Sequence, residues 1–538
     1  MDNPREEKLN VLMLPFLAYG HVFPYLELAK RLVSCQQYKI DIHICSTPVI
    51  LQAIKDNLAS SSSSELANQI KLIELKLPEL PELPSHLHST KDLHPHLVPR
   101  LMRAFDLSAP AFADLLVTLR PDILIYDMHS VWAPVAARQL GIPAIHFNIL
   151  GATSVAFLHH HFIAHEKPFP FPSIDVGIAF LNRPEEIPEE PEQELTPWEQ
   201  WGPTMESSSD FIVIRSLPEI ESKYIDYISL LTGKEVVPVP LLAKHVNDNL
   251  GNEKEYKRIM GWLGNRERRS VVLVSFGSSY VMRNKEMEQL SIALEMSEAN
   301  FIWIVRLLKH TEENVKAHDP DAFATELPAW FMANLQKEKG IVVNSWAPQM
   351  EILAHPNLGA FLTHCGRSSI LEGMKAGVPM IALPLEIDQP LNAKLIVELG
   401  IGLEIPQQCL GNFKAEDAAT CIKKVLKSEH GEKMREKVED MSKWTYSRNE
   451  DADIELLARK MAVLCNSRAV DRFLKCTQYA VLRTFPGPGK YKSTSSRHHI
   501  VYVYLYNIIY RHEHASIIDS STWIYMYINK GRSSLNHI

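Results

Sequence analysis

The run Leu358–Thr363 is short and almost wholly apolar, and it leads directly into His364-Cys-Gly-Arg-Ser-Ser369 and a helical pattern that carries Glu372. Strand, tight turn and helix in that order constrain this part of the chain to a parallel α/β unit. Gly366 is the expected turning point, because a residue without Cβ lets the backbone reverse sharply. The amides that follow, with the hydroxyls of Ser368 and Ser369, then lie at a helix N-terminus, where N–H groups and the helix dipole favour an anion. His364 adds a donor to the same anion, so the guest this stretch predicts is a phosphate or pyrophosphate. A second strand, Pro379–Pro384, ends in Glu386-Ile-Asp388-Gln389, a carboxylate beside an amide that suits a polyol. Upstream, the strand Gly340–Ser345 gives out into a loop with Trp346 and Gln349, a flat ring for stacking and an amide for a base or ribose edge. A phosphate cradle followed by a hydroxyl reader points to a nucleotide sugar.

The same alternation of apolar runs and helical spacing fills the rest of the chain. In the first half, Asn10–Phe16, Ile40–Ser46, Ile70–Leu77, Asp122–Tyr126 and Ala144–Ile149 read as parallel strands buried on both faces, followed by Phe211–Arg215 and Val236–Pro240. Tyr25–Val33 has helical spacing, which puts His21 in the loop beyond the first strand, where open α/β sheets place their ligands. An imidazole there suits a general base for a hydroxyl. Chemistry alone leaves a packing or capping histidine as an equal alternative. Asp127 ends the run Ile123–Tyr126 and emerges at the same sheet edge, where its carboxylate can orient that imidazole; a helix N-cap is the other reading.

The second half restarts with Ser270–Ser275 followed by Phe276-Gly-Ser278-Ser279, another strand that runs into an anion-facing turn. Asn300–Val305, Gly340–Asn344, Leu358–Thr363, Met380–Leu383 and Ile401–Ile405 complete a second parallel sheet, and Ala415–Ser428 and Gly431–Leu464 are helical. A chain of 538 residues suits two domains of about 200–250 residues each. We expect a first domain over 1–243, a polar linker over 244–257, a second domain over 258–465 and an atypical, disordered extension over 466–538. That extension holds ten Lys/Arg against three Asp/Glu, so the body before it carries about −15 of a formal net charge of −8, which argues against a nucleic-acid partner. Seven scattered cysteines without a C-x-x-C pair read as reduced thiols in a cytoplasmic protein. The charged N-terminus lacks the apolar stretch of a signal peptide, and no run is apolar enough to span a membrane. His86, His88, His94 and His96 lie in Pro-rich coil without Asp or Cys at ligand spacing, so no metal is expected; His159, His160, His161 and His165 are read as the lining or rim of an acceptor cleft. The Pro- and Glu-rich stretch from about Glu166 to Glu206 reads as an exposed loop.

In its W-x-P-Q, H-C-G, S, E, G-V-P, P and D-Q points, the stretch from Trp346 to Gln389 resembles the signature box of plant secondary-metabolite glycosyltransferases, which are UDP-sugar-dependent enzymes of the GT-B fold. The resemblance implies two Rossmann-like parallel-sheet domains facing each other across a cleft. It implies that Trp346 and Gln349 hold uracil and ribose, that His364, Ser369 and Ser278 approach the phosphates, that Glu372 holds the ribose hydroxyls, and that Asp388 and Gln389 hold the sugar. Gly20-His21-Val-Phe-Pro24 resembles the site of the family's catalytic base, with Asp127 as its dyad partner. Tyr126-Asp127 followed by Trp132-Ala-Pro134 resembles the branch that adds sugars to glycosylated acceptors. Two positions depart: Arg367-Ser368 stand where the family has Trp-Asn. Serine can still contact a phosphate, whereas the family's tryptophan lies against the sugar, so Arg367 opens the donor's identity. UDP-glucose is the default, UDP-glucuronate is an alternative because a guanidinium pairs with a carboxylate, and UDP-rhamnose is another. Expected partners are the UDP-sugar, as co-substrate and not cofactor, and a small flavonoid or terpenoid acceptor, with the chain acting as a monomer. The other classes kept open are a catalytically idle UDP-sugar binder and a dinucleotide-dependent oxidoreductase, the latter without a G-x-G-x-x-G after either first strand.

Overall fold

The structure, a computed structural model, describes residues 8–60, 69–91, 93–177, 197–239, 253–277, 280–307, 324–335, 339–344, 347–386 and 388–484. The chain divides into two compact units, Met1–Ser467 and Arg468–Ile538. The larger unit holds both parallel sheets.

The first sheet contains β1 (Lys8–Leu14), β2 (Lys39–Ser46), β3 (Ile70–Glu74), β4 (Ile123–Tyr126), β5 (Ala144–Asn148), β6 (Phe211–Ile214) and β7 (Glu235–Pro238). Their order is β3-β2-β1-β4-β5-β6-β7, all parallel. The second contains β8 (Val271–Ser275), β9 (Asn300–Ile304), β10 (Gly340–Val343), β11 (Leu358–Thr363), β12 (Met380–Ala382) and β13 (Gly402–Glu404), in the order β10-β9-β8-β11-β12-β13. Every residue of β4, β6, β8 and β11 is buried, the burial expected of strands covered by helices on both faces. Each sheet has one switch point where the strand order reverses, β1/β4 in the first and β8/β11 in the second. Leu14 pairs with Tyr126 there, and Thr363 with Ser275, so the residues that follow these pairs emerge where open α/β sheets bind ligands.

Several expectations need correction. The first helix is Tyr19–Val33, so His21 lies in its first turn and not in a loop. Pro24 sits inside that helix, and because proline has no N–H, Gly20 forgoes its ordinary helical donor while the turns on either side persist. Part of the expected exposed loop is a helix, Pro197–Glu206, and the expected linker ends inside another, Glu253–Gly264. The helical pattern Gly431–Leu464 is two helices, Glu429–Ser447 and Glu450–Thr484, separated by extended backbone at Arg448. The second of these starts in the expected second domain, yet Ile454, Leu457, Ala458 and Met461 join the core of the first sheet. Their i, i+3, i+4, i+7 spacing is one helix face, and it is buried against the sheet that it reaches last.

Candidate active site

The His21 ring reaches down from the first turn of its helix, and its Nδ1 lies 2.9 Å from Asp127 Oδ2. Asp127 is fully buried at the end of β4, and its other oxygen, Oδ1, accepts from the amide of His129 at 3.3 Å. Burial alone would raise the Asp127 pKa, but the His21 imidazole beside it, followed by the His129 contacts, holds the carboxyl below its ordinary value. The carboxylate therefore stays ionised and fixes Nδ1 as the protonated nitrogen, leaving Nε2 as the basic one. Phe16 packs edge-on against the His21 ring at 5.5 Å and restricts its rotation.

The second sheet presents the other half of the candidate site. His364 follows β11, and burial lowers its pKa to about 4, so at neutral pH it is an uncharged donor. Its Nε2 points into a slot walled by two glycines: a Cβ on Gly366 would lie 2.6 Å from it and one on Gly277 2.9 Å. Gly366 is needed for this space and not for the turn, since its φ is −58°. The left-handed residue is Cys365, at φ 63°, with its amide held by Thr363 Oγ1 at 3.2 Å. Ten residues of helix, Arg367–Ala376, follow, with Ser369 buried in the first turn.

Gln349 and Glu372 meet directly. Gln349 Nε2 donates to Glu372 Oε2 at 2.6 Å, while its Oε1 accepts from the Ser275 hydroxyl at 2.8 Å. Burial raises the Glu372 pKa, an effect countered by Gln349 and by the charge of Arg215. Asp388 is buried just before the helix Gln389–Glu398, and its Oδ2 accepts from Asn392 Nδ2 at 2.8 Å. Burial raises the Asp388 pKa, while Arg367 and His21 are close enough to pull it down. His21 and Asp388 thus share one electrostatic neighbourhood across the two sheets. Gln389 Oε1 accepts from the amides of Leu385 and Glu386 at 2.8 and 2.9 Å, which orients its side-chain amide. Ser278 and Trp346 lie outside the described residues.

Arg367 does not stand open to a ligand. Its Nη2 donates to Glu221 Oε2, and the pair is almost wholly buried. Ser368 accepts from Arg215 Nη1 at 2.9 Å. Sequence reasoning assigned no role to Arg215, Glu221 or Asn392. Arg215 had one legible signal, its place directly after β6; Glu221 sits within a helix and becomes informative only through its partner. The histidines expected at the acceptor rim divide: His160 is internal, bonded to the Tyr227 hydroxyl at 2.7 Å and the Lys167 carbonyl at 2.9 Å, and His159 is buried. Among the described residues, no group of three or more His, Cys, Asp or Glu is placed to hold a metal ion.

Two facing Rossmann-like sheets with sites at their switch points define a GT-B glycosyltransferase architecture. A solved Glycyrrhiza uralensis enzyme in complex with glycyrrhetinic acid 3-O-monoglucuronide has the same fold, with a TM-score of 0.71 at 22% identity over 88% of this chain and 100% of that one. The glycosyltransferase N-terminal domain family matches residues 7–235, and the family described as UDP-glucoronosyl and UDP-glucosyl transferase matches residues 247–444. UDP-glucosyltransferase 29 of Panax ginseng is 38% identical over 87% of this chain and 99% of its own length. A cyanidin-3-O-glucoside 2-O-glucuronosyltransferase of Bellis perennis is 34% identical over 86% and 99%. The chain belongs to this family of UDP-sugar-dependent glycosyltransferases, among its plant members.

Proposed function

We propose that the protein transfers a hexose, with inversion, from UDP-glucose to a hydroxyl of a small flavonoid or terpenoid glycoside. The observation that carries this reading is the 2.9 Å His21–Asp127 contact at one switch point, within electrostatic reach of Asp388 beside the other. His21 Nε2 takes the acceptor's proton, and the resulting oxygen attacks the anomeric carbon. The bond from that carbon to the β-phosphate oxygen breaks with its electron pair, and UDP departs. Asp127 stabilises the imidazolium that forms. His364, Ser278, Ser369 and the N-terminus of Arg367–Ala376 stabilise the charge on the leaving diphosphate, a role for which their donors suffice without a metal. Trp346, Gln349 and Glu372 receive the nucleoside, and Asp388 with Gln389 the hexose hydroxyls. A glycosylated acceptor is supported by the glucoside named as acceptor of the Bellis perennis relative. No described helix is long and apolar enough to cross a membrane, and we place the reaction in the cytoplasm, on a monomer.

The test is UDP release with a panel of UDP-sugars and pooled plant glycosides, wild type beside His21→Ala. The expected result is turnover with UDP-glucose that falls by about 10²–10⁴ in the variant, with UDP binding retained. A wild type that binds UDP and turns over no donor would sink the reading.

A further inference from the structure

The two residues that depart from the family's signature box are both engaged by the other domain. Ser368 is held by Arg215 and Arg367 by Glu221, two residues that stand close together where β6 gives way to the helix Pro218–Thr232. Glu221 is fully buried, and both of its oxygens are occupied. Oε1 accepts from the Thr153 amide at 3.0 Å and the Thr153 hydroxyl at 2.9 Å; Oε2 accepts from the Ser216 hydroxyl at 2.7 Å and from Arg367. Of these donors only Arg367 is charged. The guanidinium is seated against Gly151, where a Cβ would come within 2.6 Å of Nη1, and its Nε and Nη1 are buried without a hydrogen-bond acceptor. A second guanidinium, Arg215, lies near enough that burial and then the charge of Arg367 lower its pKa to about 10. Asp388, proposed above to bind the hexose, also feels Arg367.

A buried guanidinium whose Nε and Nη1 lack acceptors, at the position that the resemblance sets against the sugar, favours a carboxylate partner. In this protein the carboxylate comes from Glu221. We infer that Glu221 is a donor-specificity residue, which neutralises Arg367 from the other domain and so selects neutral UDP-hexoses over UDP-uronates. A uronate entering beside Glu221 meets a like charge and a cation already paired. With Glu221 made neutral, the guanidinium is left buried and uncompensated, and the donor's own carboxylate becomes the charge that restores balance. The inference rests on the proposed transferase reading and names the device that sets its donor.

The experiment is calorimetric titration of UDP, UDP-glucose and UDP-glucuronate into wild type, Glu221→Gln, Arg367→Gln and the double variant. Wild type is expected to bind UDP-glucose more tightly than UDP-glucuronate. Glu221→Gln is expected to raise the glucuronate-to-glucose affinity ratio by at least about tenfold with UDP affinity little changed, and the double variant to lose that gain. Glutamine keeps the shape and the Oε1 that accepts from Thr153, while its NH2 donates to the Ser216 hydroxyl where Oε2 accepted, so the chief change is the charge. Should Glu221→Gln fail to fold, Arg367→Gln decides: leaving Glu221 without its cation lowers the ratio further. A wild type that prefers UDP-glucuronate overturns the inference outright, as does an unchanged or reduced ratio in a folded Glu221→Gln, or an unchanged or raised one in Arg367→Gln. Failure of the transferase reading is separate: the wild type would then bind donors without turning any over.

Discussion

His21 owes its chemistry to Asp127. With Nδ1 committed to a carboxylate that stays ionised, the ring cannot choose its tautomer, and Nε2 is the nitrogen left for the proposed proton transfer. Asp127→Asn keeps the size of the side chain but offers an amide, which frees the ring to take the other tautomer. The expected outcome is a fall in kcat of about 10²–10⁴ with the donor KM almost unchanged, read from UDP-release kinetics. The phosphate half makes a different residue-scale prediction. Gly366 has ordinary backbone angles, so Gly366→Ala costs nothing in conformation, yet its Cβ would sit 2.6 Å from His364 Nε2. The ring must move from the space where the diphosphate is proposed to bind. UDP affinity measured by calorimetry should drop by about tenfold or more while the melting temperature stays near that of the wild type. An unchanged affinity would remove His364 from the phosphate site.

At the scale of elements, the parallel strands were legible because a strand buried on both faces carries its own signal, an apolar run bounded by polar turns. The strands β8 and β11 lie within a residue of where the runs end. The start of the first helix was illegible because Pro24 argues against helix on either side of it, whereas the structure tolerates the lost bond inside the second turn. The ends of strands drew attention to His21, Asp127 and His364 as candidates, while nothing local singled out Glu221. Its partner Arg367 is 146 residues away, and no local pattern encodes that meeting. The return of the last helix to the first sheet was missed for the same reason: its apolar face is plain in sequence, but the surface it covers is not. Leu457 is fully buried in that contact. Leu457→Ala should cost about 2–5 kcal/mol in urea unfolding, whereas an alanine at the exposed Val463 should cost far less. Equal effects would mean that the helix is not part of the first sheet's core.

The whole molecule carries a pH dependence written by its buried and half-buried histidines. Burial lowers His129, His146, His159 and His364 from 6.5 to about 4, and they are distributed over both sheets. Each folded pKa lies below the unfolded value, so each contributes stability that is fully present above pH 6.5. As pH falls, the unfolded chain takes up these protons first, and that stability is lost between about 6.5 and 4 at about 1.4 kcal/mol per pH unit for each proton of difference. Glu372 and Asp388 act in the opposite sense. Burial raises them above their ordinary 4.5 and 3.8, so their cost in the folded state declines as pH falls and they protonate. Four histidines outweigh two carboxyls, and the histidine loss begins at the higher pH. Urea unfolding midpoints should therefore hold steady above pH 7 and fall steeply between pH 6.5 and 4.5. His146 is the cleanest test, since it is fully buried in the first sheet and takes no part in the proposed reaction. Replacing it with glutamine, which does not titrate, should flatten the slope by about one proton's worth without changing UDP affinity. A slope identical to wild type would mean that His146 titrates alike in the folded and unfolded chains.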